Sequence, residues 1–169
     1  MRIVIDGYNL LKAIPECRAL EARDPDSARD HLLEQLGRYR WLRGHHITVI
    51  FDGWLGGQPV ERQSRAHGVQ VIYSKRGEQA DAVIRRLAPQ VAHQGVVVTS
   101  DRALVSEVQR SGAEVISSAE FGERLERALL AQEEGMDDEI AGDVQPKKKG
   151  TSRRPSRAER QRERKLRNL

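Results

Sequence analysis

The sequence predicts a three-layer α/β sandwich, with helices on both faces of a central, mostly parallel sheet of about five strands. Short apolar runs alternate with segments whose apolar residues recur at helical spacing, which is the pattern of a parallel α/β fold. The runs are apolar almost without interruption, as expected of parallel strands buried on both faces. Aspartates follow several of these runs, at the edge where an open parallel sheet binds its ligands.

The first two predicted elements are a short strand and a long helix. Arg2–Ile5 is apolar apart from its first residue, and a helical turn is predicted to follow it and to stop at Pro15. Residues 18–26 are expected to form an irregular connection. A helix is predicted over residues 27–42, with one apolar face and with Trp41 on the core side.

The remainder of the body continues the alternation of strand and helix. Strands are predicted from apolar runs rich in β-branched residues, and helices from apolar residues three and four apart. The predicted elements are strands at Ile47–Phe51, Val69–Tyr73, Val96–Thr99 and Glu114–Ile116, and helices at residues 78–92, 102–110 and 118–132. The polar residues 60–67 have no predicted element, and Ser118 is expected to cap the last helix.

Length and composition favour one intracellular domain with a short appendage. The chain has 169 residues, of which 38% are hydrophobic and 32% charged. A single cysteine, Cys17, excludes an internal disulfide and favours a reducing compartment. We find no apolar signal region at the start, and no apolar run near the ~20 residues that span a bilayer. We therefore expect a soluble cytoplasmic protein without a membrane partner.

Charge is distributed unevenly and suggests two regions. Residues 147–169 carry 11 basic and 2 acidic residues, whereas residues 1–146 carry 18 basic and 23 acidic ones. We expect residues 1–134 to fold as the domain, and residues 135–169 to form an acidic linker and a basic tail that is disordered or conditionally helical. Such a tail favours RNA, or a ribosome, as a partner. The alternative is a solubilising terminus without a dedicated partner.

Four aspartates are the candidate catalytic and metal-binding residues. Asp6, Asp52 and Asp101 follow predicted strands, and Asp81 lies in the first turn of a predicted helix. Carboxylates that converge at one sheet edge repel one another unless a cation joins them, and Mg²⁺ or Mn²⁺ with oxygen ligands commonly acts on phosphate esters. The alternative for each residue is a helix cap or a turn, and Asp52 before Gly53 is the least certain member.

The surroundings of these aspartates resemble a known family. The four segments are Asp6-Gly7-Tyr8-Asn9, Phe51-Asp52-Gly53, Gly77-Glu78-Gln79-Ala80-Asp81 and Thr99-Ser100-Asp101-Arg102. In type and order they resemble the motifs of the NYN domain family, the PIN-like metal-dependent ribonucleases, and most of all its bacterial YacP-like branch. The resemblance covers roughly residues 1–130.

The resemblance implies roles for individual residues. Asp6, Asp81 and Asp101 would be the core metal ligands, with Asp52 as a fourth acidic member. Asn9 would orient Asp6 or touch the substrate, and Ser100 could assist the metal or bind a phosphate. Family members often have a second acid beside the residue that matches Asp81, but this chain has Ala82 there, which leaves a second metal in doubt. Glu78, one turn earlier on the same helix, could compensate.

Further residues are candidates for binding substrate. Tyr8 and Trp54 could stack on bases, because single-stranded RNA is often recognised by stacking, although Tyr8 could equally pack under its loop. Lys75 and Arg76 could hold the RNA backbone, and solvated loop charges are the simpler interpretation. Arg102 could contact a phosphate or balance the charge of the acidic cluster, which is formed by Asp6, Asp52, Asp81 and Asp101.

Three hypotheses about function follow. The first is a divalent-metal-dependent endoribonuclease that acts on RNA, including, by the resemblance, messenger RNA on ribosomes. The second is a non-catalytic RNA- or ribosome-binding module with a degenerate site. The third is a small-molecule phosphohydrolase, for which the basic tail would have no purpose.

Overall fold

A computed structural model describes residues 1–53, 59–92, 94–133, 163–167 and 169. These residues form a six-stranded sheet in the order β3-β4-β2-β1-β5-β6, in which only β3 is antiparallel to its neighbour. The strands are β1 (Arg2–Asp6), β2 (His46–Phe51), β3 (Arg62–Ala66), β4 (Val69–Tyr73), β5 (Gly95–Val98) and β6 (Glu114–Ile116). The predicted class is confirmed, with one more strand than the five expected.

Five helices lie between these strands, a sixth follows the last strand, and together they form the two outer layers. They are α1 (Gly7–Ala13), α2 (Pro15–Glu21), α3 (Pro25–Arg43), α4 (Ala80–Val91), α5 (Arg102–Arg110) and α6 (Ser118–Glu133). Helices α1, α3 and α6 pack against one core layer, which contains Ile3, Ile5 and Phe51. Helices α4 and α5 pack against the other, which contains Val4 and Ile50. Because successive strand residues point to opposite faces, each central strand supplies both layers.

Three local predictions in the first half of the body and at the last helix are wrong. The irregular connection expected over residues 18–26 is mostly helical: α1 ends at Ala13, before Pro15 as predicted, but Pro15 then occupies the first turn of α2, where its missing N–H costs nothing. Trp41 is 76% exposed and does not belong to the core. The hydroxyl of Ser117, not of Ser118, accepts the N–H of Glu120 at the start of α6.

The additional strand belongs to a hairpin at the edge of the sheet. Strand β3 pairs antiparallel with β4, and the turn between them has positive φ at His67 (50°) and Gly68 (79°). Two consecutive residues in this conformation are typical of tight hairpin turns. The side chains of β3 are almost all exposed, so its sequence has no apolar alternation that could reveal a strand.

Parallel pairing fixes where the functional side chains lie. Asp6 at the end of β1 is opposite Ile50 of β2, and Ile5 is opposite Val98 of β5. From β1 the chain first builds outward through β2 and β4, and later returns to place β5 on the other side of β1. The crevice beyond the carboxyl ends of β1 and β5 is therefore the switch point at which such sheets bind ligands.

The described C-terminal residues lie on the body. Residues 163–167 are helical, and Leu169 is 4% exposed within the core layer of α3 and α6. The boundary near residue 134 stays a prediction. Among the residues that the structure describes, no helix is long and apolar enough to cross a membrane.

Candidate active site

Asp6 is a buried carboxylate with both oxygens engaged. It is 4% exposed and caps α1, with Oδ1 accepting the backbone N–H of Asn9 at 3.1 Å. Its Oδ2 accepts the side-chain amide of Asn9 at 2.6 Å and the hydroxyl of Thr99 at 3.3 Å. Gly7 allows α1 to begin here, because a Cβ at that position would lie 2.4 Å from the ring of Phe51. The side chain of Asp6 therefore has a fixed orientation at the switch point.

Thr99 links Asp6 to Asp101 and was missed by sequence reasoning. Its hydroxyl donates to Asp6 and accepts the backbone N–H of Asp101 at 3.2 Å, and its side chain is buried. Asp101 in turn caps α5, with Oδ1 accepting the N–H of Leu104 at 2.9 Å. The signal that could have identified Thr99 is a hydroxyl at the end of an otherwise apolar strand, directly before the acidic segment.

Asp52 connects the end of β2 to the start of α4. Its Oδ1 accepts the backbone N–H of Ala80 at 2.5 Å, and the residue that precedes α4, Gln79, makes no side-chain cap. The two segments approach closely, because a Cβ on Gly53 would lie 1.8 Å from the carbonyl oxygen of Ser74. The hydroxyl of Ser74 accepts the N–H of Gly53 at 3.0 Å and donates to the carbonyl of Glu78. Asp52 thus positions the first turn of α4, which carries Asp81.

Asp81 has a cationic neighbour that the sequence did not single out. Arg85, one turn later on α4, brings Nη2 to 4.0 Å from Asp81 Oδ2. The Nε of the same guanidinium pairs with Glu107 on α5, which holds the arginine between the two helices. Residues four apart share a helix face, so the i, i+4 spacing was the available signal.

The four carboxylates influence one another electrostatically. Burial raises the pKa of Asp6, and the charge of Asp52 raises it further, while hydrogen bonds from Asn9 and Thr99 lower it. Burial likewise raises the pKa of Asp81, with additional contributions from Asp6 and Asp101 that Arg85 partly offsets. Both shifts disfavour the ionised form, which is the expected result of burial with a smaller contribution from neighbouring carboxylates.

The carboxylate oxygens of the acidic cluster are suitable ligands for a divalent cation, although they do not surround one completely. Among the described residues, no three histidine, cysteine or acidic side chains are close enough to enclose a metal ion in this conformation. The donors are nevertheless hard oxygens, which suit Mg²⁺ and Mn²⁺, and these ions often keep water or substrate as their other ligands. A bound cation would also relieve the repulsion from Asp6 and Asp101 that adds to the effect of burial on the pKa of Asp81.

The other predicted site residues occupy different environments. Tyr8 is half-buried, with its ring edge-on to Phe51 and its hydroxyl accepting from Arg29 at 3.0 Å. The hydroxyl of Ser100 accepts the N–H of Ser118 at the start of α6. The cations are exposed on the connection before α4 and on the first turn of α5: Lys75, Arg76 and Arg102. Trp54 lies outside the described residues.

Comparison with known proteins places these features in a family. The sequence model of the YacP-like NYN domain matches residues 3–168 of the chain. The chain belongs to the YacP-like NYN family. The recognition of this family from the four acidic segments is thereby confirmed, and the match extends well beyond residue 130.

Relatives of this YacP-like chain are found in Bacillus subtilis. The uncharacterized protein YacP of strain 168 is 35% identical over 102 residues, which span 59% of this chain and 59% of that protein. Two crystal structures of Rae1 (YacP) from the same species, one of them of a point mutant, align with a TM-score of 0.66 at 29% identity. These alignments cover 79% and 80% of this chain, and 79% of each matched chain.

The raised pKa of Asp81 leads to a prediction about stability. In the range between the ordinary carboxyl pKa and the raised one, the folded state binds more protons than the unfolded state, so stability falls as pH rises through that range. Asp81→Asn removes this penalty. We expect the variant to unfold at a higher temperature than the parent at neutral pH in EDTA. This difference in unfolding temperature should shrink as the pH falls below the ordinary pKa of an aspartate.

The matched control is Asp24→Asn at the start of α3. A hydrogen bond from Ser27 lowers the pKa of Asp24, so folding favours the ionised carboxylate. Removing that carboxylate should therefore destabilise the protein at neutral pH. Thermal unfolding by circular dichroism across a pH series measures both variants. A parent and Asp81→Asn of equal stability at every pH would contradict the raised pKa that burial and the neighbouring carboxylates give Asp81.

The contact between Asp52 and Ala80 leads to a second prediction. Asp52→Asn keeps a carbonyl oxygen that can accept this N–H, whereas Asp52→Ala leaves the amide without its partner. We expect the alanine variant to lose about 0.5–2 kcal/mol of unfolding free energy, and the asparagine variant to lose much less. Urea unfolding compares the two, and equal losses would contradict the positioning role of Asp52.

Proposed function

We propose that this protein is a divalent-metal-dependent endoribonuclease that hydrolyses RNA phosphodiester bonds. The observation that carries the proposal is the hydrogen-bonded connection of Asp6 to Asp101 through Thr99 at the switch point of the sheet, together with the contact by which Asp52 holds the first turn of α4, which carries Asp81. Membership of the YacP-like NYN family supports the same reaction class, because NYN domains are PIN-like nucleases.

The candidate ligands of Mg²⁺ or Mn²⁺ are Asp6, Asp81 and Asp101, with Asp52 as a fourth acid. A divalent ion held there would neutralise charge that develops on the phosphoryl oxygens during hydrolysis. Helix capping engages one oxygen each of Asp52 and Asp101, and leaves the second oxygen of each without a hydrogen bond among the described residues. A carboxylate that is anchored through one oxygen presents the other with little loss of rotamer freedom.

Other residues of the chain would bind and orient the RNA. Asn9 and Thr99 hold the carboxylate of Asp6 in place. Arg85 has its guanidinium 4.0 Å from Asp81, where it can contact a phosphate oxygen brought to the acidic cluster. The exposed Lys75 and Arg76, on the connection that leads to α4, extend the cationic contacts along the RNA backbone.

We propose single-stranded RNA, with messenger RNA on ribosomes as one form of it, as the substrate, and the cytoplasm as the location. The basic residues 147–169 support a polyanionic partner, and the buried, unpaired thiol of Cys17 suits a reducing compartment. A second candidate function is an RNA-binding module without catalysis. It is favoured by Ala82 in place of a second acid and by the open geometry of the acidic residues that the structure describes.

Cleavage of labelled single-stranded RNA tests the proposed reaction. We expect wild type to cleave in Mn²⁺ or Mg²⁺ and to stop in EDTA, and Asp101→Asn to lose at least about a hundred-fold in rate, because it removes a ligand charge while keeping an oxygen for the α5 cap. Asp24→Asn, a capping aspartate of α3 that is not part of the cluster, is the control and should cleave normally.

The outcomes separate the two candidate functions. Metal-dependent cleavage that is lost in Asp101→Asn and kept in Asp24→Asn supports the nuclease. Equal cleavage by both variants would contradict the assignment of Asp101. Salt-sensitive RNA binding without any cleavage, by wild type and variants alike, would instead favour the binding module.

A further inference from the structure

The C-terminal turn, residues 163–167, is attached to the body by specific contacts. Leu169 is buried in the core layer, and Leu166 packs against the same layer. The guanidinium of Arg124 on α6 donates from Nη1 to the carbonyl oxygen of Leu166. Apolar burial and a charge-assisted hydrogen bond together hold this turn against α6.

This attachment places basic side chains at the edge of the sheet opposite the acidic cluster. The ammonium group of Lys165 donates to the carbonyl of Ala92 at 3.2 Å, just beyond α4 and shortly before β5 begins. Arg2, which begins β1, donates its backbone N–H to the carbonyl of Gln94 in the same connection. Both residues therefore lie at the amino ends of the central strands. A five-residue strand rises about 16 Å, so this edge is well separated from Asp6.

Further arginines lie beside the attached turn. A cavity of about 550 Å³ between α6, the end of α3 and the turn is lined by Arg43, Arg124, Arg127 and Arg167, together with Glu120, Glu123 and Glu163. Glu120 is paired with Arg124 within α6. The turn itself adds Arg164, which is exposed. The local net charge is thus positive, whereas residues 1–146 as a whole carry more acidic than basic residues.

We propose that this edge binds the phosphate backbone of RNA, an inference that rests on RNA being the substrate under the proposed function. The amino-edge basic surface is defined by Arg2, Arg127, Arg164, Lys165 and Arg167. Cations held on a folded surface lose less conformational freedom on binding than cations on a free chain, so their phosphate contacts are stronger. Each contact also releases condensed counterions. The surface would hold RNA at one edge of the sheet, while the acidic cluster lies at the other.

Two sets of variants separate charge from attachment. Arg164→Ala/Arg167→Ala removes two charges and keeps Leu166, Leu169 and the contact between Lys165 and Ala92 in place. Leu166→Ser/Leu169→Ser keeps every charge and removes the apolar contacts that attach the turn. Both variants are made in the full chain. Thermal unfolding identifies a temperature at which both remain folded, and binding is measured there.

The readout is binding of a fluorescent single-stranded RNA in EDTA over a series of salt concentrations. Because no metal is needed, the result does not depend on the proposed nuclease activity. For the charge variant we expect weaker binding and a salt slope reduced by roughly two, since each phosphate contact contributes about one. For the detached variant we expect binding at least about five-fold weaker than wild type, although its net charge is unchanged.

Other results would overturn the proposal. A charge variant that binds like wild type would show that the surface takes no part in binding. A detached variant that binds like wild type would show that the basic residues act as a free chain. If wild type does not bind RNA, RNA is excluded as the ligand of this surface, and a different partner, such as an acidic protein surface, is favoured.

Discussion

Three strand-end aspartates bind backbone amides, and the rest of the site depends on those contacts. Asp6 and Asp101 cap α1 and α5, and Asp52 accepts the first amide of α4. Each carboxylate therefore fixes a strand–helix junction and is itself oriented by it. Helix capping and ion binding are compatible uses of one side chain, because a carboxylate has two oxygens and several lone pairs. The capping and ligand interpretations are therefore not exclusive alternatives here.

The convergence of these carboxylates has an electrostatic cost. Burial at the switch point and mutual repulsion raise the pKa of Asp6 and Asp81, so the folded protein holds charge where charge is disfavoured. Perturbed carboxylates that cluster at a ligand-binding edge are typical of functional sites. The hydrogen bonds from Asn9 and Thr99, and the nearby Arg85, reduce the cost without removing it. A divalent cation would offset the part of this cost that comes from repulsion between the carboxylates.

The sequence predicted the features that depend on local pattern. Buried parallel strands and amphipathic helices leave a clear apolar signal, so the layers, the order of elements and the edge that carries the aspartates were predictable. Strand β3 was not, because an exposed edge strand has no apolar alternation. The roles of Thr99 and Asp52 were hidden because they depend on contacts to residues 93 and 28 positions away in sequence. Trp41 was wrongly predicted to lie in the core. It is two residues from the buried Tyr39 on α3, and residues two apart do not share a helix face, so Trp41 is exposed.

A titration of the full chain with Mn²⁺, followed by electron paramagnetic resonance, tests most directly whether the acidic residues act as one site. It compares wild type with Asp81→Asn, and Asp24→Asn is the control. We predict saturable binding by wild type and by the control, and its loss in Asp81→Asn. Unchanged binding by Asp81→Asn, or no saturable binding by wild type, would contradict the proposal that these carboxylates together hold a divalent ion.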